Sequence, residues 1–178
     1  MKPARWLTLA GGSFLIGLLV FLPAAMIEAP VNRALAPYAT LSGTQGTIWS
    51  GAGVISAMGN LVPVQWRFAP LGLMRLRLAY QVTPSSPAIN GQVRVSAGFS
   101  DARMEDTELT LDGKLIHADG QVKLDGEGSL SLDAKREISF SGVAVPSRDA
   151  KQLTTLLQTL GKPQPDGRIL IDYRGTLK

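Results

Sequence analysis

A chain of 178 residues and 18.9 kDa holds one domain, or one domain with an anchor. Hydrophobic residues make up 45% and charged residues 18%, a balance that argues for a core and against disorder. The chain has no cysteine, one histidine and a net charge of +4. These exclude disulfides, thiolate metal sites, cysteine nucleophiles and a two-histidine metal site, and they fall short of a nucleic-acid-binding signature.

Residues 6 to 27 carry no charge. As a helix they would span roughly 33 Å, against about 30 Å of bilayer hydrocarbon. Lys2 and Arg5 precede them, and the next cation is Arg33. The positive-inside rule then keeps the N-terminus in the cytoplasm and exports the rest of the chain. The expectation is a cytoplasmic start (1–5), a transmembrane anchor (6–27) and an exported domain (28–178). Trp6 sits where an interfacial aromatic belongs, and Leu15, Ile16, Leu18, Leu19 and Phe21 supply the apolar surface. A cleavable signal peptide is the competing reading; its apolar core is usually shorter, though Ala24-Ala25 could serve a peptidase.

The exported part reads as antiparallel sheet. In residues 74–82, Met74, Leu76, Leu78, Tyr80 and Val82 alternate with Arg75, Arg77, Ala79 and Gln81, the period of a half-buried strand. The same period runs through Val62, Val64, Trp66 and Phe68, then Val93 and Val95. It continues in Leu109 and Leu111, Val122 and Leu124, Leu130 and Leu132, and Ile138 and Phe140, and closes with Ile169, Ile171 and Tyr173. Asn90-Gly91, Asp112-Gly113, Asp119-Gly120, Asp125-Gly126 and Asp166-Gly167 carry the residue types of tight turns, and residues 84–87 read as a loop. The spacing predicts a meander-like antiparallel sheet and no βαβ units.

One helix interrupts the strands. Ser147 is the expected N-cap, Leu153, Leu156, Leu157 and Leu160 form an apolar stripe, and Gly161 and Pro163 end it. The fold class is therefore mainly β: one N-terminal transmembrane helix, an antiparallel sheet domain and one short helix near the C-terminus.

The chemistry-bearing residues form no recognisable centre. Asp101, Glu105, Asp106, Glu108, Asp119, Asp125, Glu127 and Asp133 lack the ligand spacing of a calcium loop and read as turns and outward strand positions. His117 has no partner in a triad pattern, and Ser50 lacks the nucleophile-elbow frame. No catalytic residue, metal site or cofactor is expected. Arg67, Arg75, Arg77 and Arg94 fall on what read as neighbouring strands. They are the candidate contact for an anionic partner, such as lipid headgroups or an acidic protein surface; an ordinary solvated face explains them as well. Trp49 and Trp66 read as core.

Three blocks add a resemblance. They are the early run from Leu41 to Gly51 with Trp49, Ser50 and Gly51, the run from Val64 to Leu71 with Trp66, and a C-terminal block with Asp166, Gly167, Tyr173 and Gly175. With an apolar segment ending Leu22-Pro23-Ala24-Ala25, their order resembles type II secretion system protein N. The resemblance implies a non-enzymatic, single-pass protein of the bacterial inner membrane with a β-rich periplasmic domain. Its partners would be other subunits of the machine that exports folded proteins. At the level of anchored β architecture the chain is also similar to AsmA-like proteins, which implies phospholipid binding or transport as the alternative.

Overall fold

The computed structural model describes residues 13, 17–57, 59–113, 118–131 and 137–176. Among these residues ten strands form one sheet in the order β1-β2-β3-β4-β5-β6-β7-β8-β10-β9. They are β1 (Ala39–Gly46), β2 (Ser50–Ala57), β3 (Asn60–Ala69), β4 (Leu78–Pro84), β5 (Ile89–Ala97), β6 (Asp101–Asp112), β7 (Gln121–Ser131), β8 (Glu137–Pro146), β9 (Lys162–Pro163) and β10 (Ile169–Thr176). All pairings are antiparallel, and β1 to β8 run in chain order, so the meander expected from the spacing is the observed topology.

The two faces differ as the period-2 pattern requires. One carries Val64, Trp66, Tyr80, Val82, Val93, Val95, Val122, Leu124, Ala144 and Ile169; the other carries Arg67, Gln81, Arg94, Glu105, Glu127, Ser141 and Asp172. One buried cluster lies where a helix covers the apolar face, and Val64, Trp66 and Val93 are buried farther along it. Val122, Ala144 and Ile169 form a core cluster, packed by Leu124 and Ile171 and by Leu153 and Leu157 of helix α2 (Lys151–Leu160).

Helix α1 (Ala25–Leu35) lies along β1. Two of its side chains fix it there by replacing strand partners that an edge would lack. The Glu28 carboxylate accepts bonds from the Thr44 amide (3.0 Å) and hydroxyl (2.6 Å). Asn32 donates to the Leu41 carbonyl and accepts from its amide.

Aromatic rings on the apolar face lie over glycines of neighbouring strands, which thins the layer to one ring. A Cβ on Gly51 would stand 2.6 Å from the Trp66 ring, and one on Gly126 or Gly142 would stand 2.8 or 2.9 Å from Phe140. This corrects the Asp125-Gly126 turn: the pair sits inside β7, because Phe140 occupies the room a side chain would need. Asn90-Gly91 is corrected too. It lies inside β5, where a Cβ on Gly91 would come 1.9 Å from the Glu108 carbonyl. The turns at Gly120 and Gly167 stand, with φ of 88° and 82°.

The segment 74–82 is the largest departure from the periodic reading. Pro70–Arg75 is a 3-10 helix and Leu76 takes a left-handed conformation (φ 55°), so the strand begins only at Leu78. Proline at the helix start and the glycine at position 72 favour this local turn over an extended chain. Glycine-rich β1 and β2 and the two-residue β9 were not legible from apolar alternation. Ser147 does not cap α2; its Oγ accepts the Gln121 amide, and Ala150 is the residue at the cap position. Gly161 ends α2 in an extended conformation, and glycine is required there because a Cβ would meet the Leu170 carbonyl at 2.5 Å.

No helix among the described residues is long and apolar enough to cross a membrane. Of the expected anchor, Trp6, Leu15 and Ile16 lie outside the described residues, as do His117, Leu132 and Asp133. Leu18, Leu19, Val20 and Phe21 are exposed. The apolar run is interrupted before Ile27: Pro23 bridges to Thr47, the Ala24 amide bonds the Gly46 carbonyl at 3.0 Å, and Ala25 opens α1.

Candidate interaction site

The segment that enters the sheet is tied to one of its ends. The Ile48 amide bonds the Leu22 carbonyl at 3.0 Å, and the Trp49 indole donates to the Leu19 carbonyl at 2.8 Å. Trp49 is half-buried in the turn between β1 and β2, stacked edge-on against Phe68 with ring centroids 4.9 Å apart. Phe68 in turn meets Tyr80 at 5.5 Å. The expectation of a core residue therefore holds for Trp66, which is 7% exposed, and is corrected for Trp49, a clamp between the entering segment and the sheet end.

The same end of the sheet carries the 3-10 helix and the turn at residues 98–100, because Leu78 pairs with Ala97 and Ala69 with Ala79. Arg77 ties the two loops together. Its guanidinium donates to Asp101 from Nη1 at 2.9 Å and Nη2 at 3.2 Å, and from Nε to the Ser96 hydroxyl at 3.1 Å. Arg103 Nε donates at 2.7 Å to Asp101 Oδ2, the oxygen that also accepts from Arg77 Nη2. These bonds, Arg77 first, hold the Asp101 carboxyl below its usual pKa. A β-bulge in β6 puts Asp106 at φ 48° and brings its carboxylate to Arg94.

The four arginines singled out from the sequence thus do not form one cationic patch. Arg67 and Arg94 share the polar face, each across from Gln81, but Arg77 precedes β4 and Arg75 lies on the 3-10 helix. Arg77 and Arg94 are neutralised by Asp101 and Asp106; among the described residues, Arg67 and Arg75 have no carboxylate within ion-pair distance.

The polar face of β5 to β10 encloses an open trough of about 1150 Å³. Two of those four arginines, Arg75 and Arg94, line it with Arg103 and Arg174, together with Glu105, Glu127 and Asp172, so charges of both signs face the opening. Such a lining suits water and charged chains, not acyl tails. Among the described residues no group of three or more His, Asp and Glu side chains has metal-holding geometry.

The remaining positions of the resemblance have structural explanations. Ser50 opens β2, and Gly51 is the seat of the Trp66 ring. Asp166 and Gly167 form the turn before β10, where the Asp166 carboxylate accepts from the Arg168 amide at 3.1 Å; the Arg168 side chain keeps its pKa low. Tyr173 folds over Gly175, whose Cβ would meet its hydroxyl at 2.6 Å. What the sequence reading missed is the exposed apolar loop pair at this end, Leu71 to Leu76 with Phe99. Met74 and Leu76 read as part of a strand face, and Leu71 and Phe99 carried no pattern; the 3-10 helix and the large exposures distinguish the pair.

Comparison with curated proteins and with solved structures finds no match. The family model of type II secretion system (T2SS) protein N matches residues 37–128, from β1 into β7. That range includes the Trp49 and Trp66 blocks and leaves the block at 166–175 outside. The match spans just over half of the chain, and the chain belongs to the T2SS protein N family.

Proposed function

We propose that this component of a type II secretion system is a non-enzymatic scaffold: anchored in the inner membrane by its N-terminal apolar segment, with its sheet in the periplasm. The observation that carries the scaffold reading is the free edge of the sheet. β9 covers only Ile169 and Leu170, and among the described residues Ile171–Thr176 has no strand partner on its outer side. An open edge offers main-chain donors and acceptors to a strand of another subunit. The opposite edge, β1, is instead guarded by α1 through Glu28 and Asn32. One edge is closed by the chain itself and one is left for a partner.

The charged trough favours this reading over phospholipid transport, which needs an apolar concavity. The test is purification of the C-terminally tagged chain from its native envelope in mild detergent, with proteins and lipids identified together. Enrichment of secretion-system subunits over an unrelated anchored control is the expected result. Stoichiometric phospholipid without those subunits would sink the scaffold reading and restore lipid handling.

A further inference from the structure

We propose that the loop pair formed by the 3-10 helix (Pro70–Arg75, with Leu76) and the turn at Phe99 is a second membrane contact, dipping into the phospholipid surface beside the N-terminal segment. The inference rests on that segment being inserted in a bilayer.

Three observations converge on it. First, the loops expose an unusual amount of apolar surface: Leu71 is 77% exposed, Met74 85%, Leu76 77% and Phe99 95%. No residue of the 3-10 helix is buried. Large apolar side chains exposed together on two loops at one sheet end mark an interaction site.

Second, the loops are held in this form. Leu76 occupies the left-handed region, which is costly for a branched side chain, and the bonds from its amide to Leu73 and from Arg77 to Gly72 keep it there. Arg77 then pins the Phe99 turn through Asp101, and the ion pair sits close against Gly98, where a Cβ would come 3.0 Å from Nη1. The apolar side chains are presented outward by a polar brace behind them.

Third, position identifies the occupant. Leu18, Leu19, Val20 and Phe21 are exposed at the same sheet end, and the route from them to the loops is short: Leu19 to Trp49, Trp49 to Phe68, and Phe68 two residues before Pro70. If the segment preceding Leu22 lies in a bilayer, this sheet end faces that bilayer's surface. Arg75, on the same helix and free of an ion pair among the described residues, lines the polar trough where the trough reaches this sheet end, and there it supplies a cation for anionic headgroups. The arrangement is that of an interfacial contact, with apolar side chains below the headgroups and a cation level with them.

The absence of cysteine makes a direct test available. Leu18→Cys, Met74→Cys, Phe99→Cys and Ser85→Cys are each made singly in the full chain and labelled with a polarity-sensitive fluorophore. The proteins are reconstituted in phosphatidylethanolamine–phosphatidylglycerol vesicles with and without brominated lipid. All four positions are exposed, so labelling does not disturb packing, and Ser85 lies at the opposite sheet end. Several-fold stronger quenching at positions 74 and 99 than at 85 is expected, with position 18 quenched as well. Quenching at 18 while 74 and 99 match 85 overturns this inference and leaves the anchor standing. No quenching at 18 overturns the anchor reading and this inference with it. Equal quenching at all four positions also overturns the inference, because it denotes a domain lying flat without a preferred end.

Discussion

Gly51 has no room for a side chain. A Cβ there would come 2.4 Å from the Gln45 carbonyl and 2.6 Å from the Trp66 ring, and backbone cannot yield as a flexible side chain would. Gly51→Ala should therefore destabilise the domain by about 1–3 kcal/mol, through overpacking; a urea unfolding curve would show it. Asp101 makes a different prediction. Its carboxyl pKa is lowered, chiefly by the Arg77 bonds. A depressed folded-state pKa gives stability that is present above the unfolded value and lost as pH falls through the folded one. The urea midpoint of the native chain should drop on acidification below about pH 4, the ordinary carboxylate range. Asp101→Asn should flatten that acid limb; an unchanged limb would mean the ion pair adds nothing to the linkage. At this scale the sequence was least legible. Arg77 and Arg94 looked like free cations because their partners are 24 and 12 residues away in the chain. A glycine seat looked like a turn because the ring that fills it belongs to another strand.

Among the elements, α2 shows how much of an amphipathic pattern survives packing. The leucines at 153, 156, 157 and 160 have helical spacing, and the helix forms where expected. Only Leu153 and Leu157 pack on the core cluster; Leu156 is 51% and Leu160 66% exposed. Leu157→Ala should cost about 1–3 kcal/mol, below the full-burial range, and Leu160→Ser should be close to neutral. Equal losses in denaturation of the two variants would mean the stripe is covered by something beyond the sheet. The strands were legible wherever β-branched and aromatic residues alternated, as in β3 and β10. They were illegible in β1 and β2, where Gly, Ser and Thr supply no apolar period. The 74–82 segment misled because a 3-10 helix after a proline can carry the same alternation of Leu and Arg over a few residues.

For the whole molecule, the sheet has two ends with different characters. One receives the apolar N-terminal segment and bears the exposed loop pair; the other bears α2 and its core cluster. In intact cells expressing the chain, a thiol at Ser85→Cys should react with a membrane-impermeant maleimide once the outer membrane is permeabilised, without lysis of the inner membrane. Reaction only after inner-membrane lysis would refute a periplasmic sheet.

The sequence alone determined the mainly β class, the meander order and the apolar N-terminal run. Each depends on local periodicity and on turn residues adjacent in the chain. It also carried the blocks that resemble the T2SS protein N family. Only the tertiary structure decided which arginines are neutralised, which glycines are seats for rings, and which sheet edge is open. It also decided which leucines are left facing outward. Those properties belong to pairs of residues far apart in the chain. They come into being when ten strands align and one face of each is matched, or left unmatched, by a neighbour.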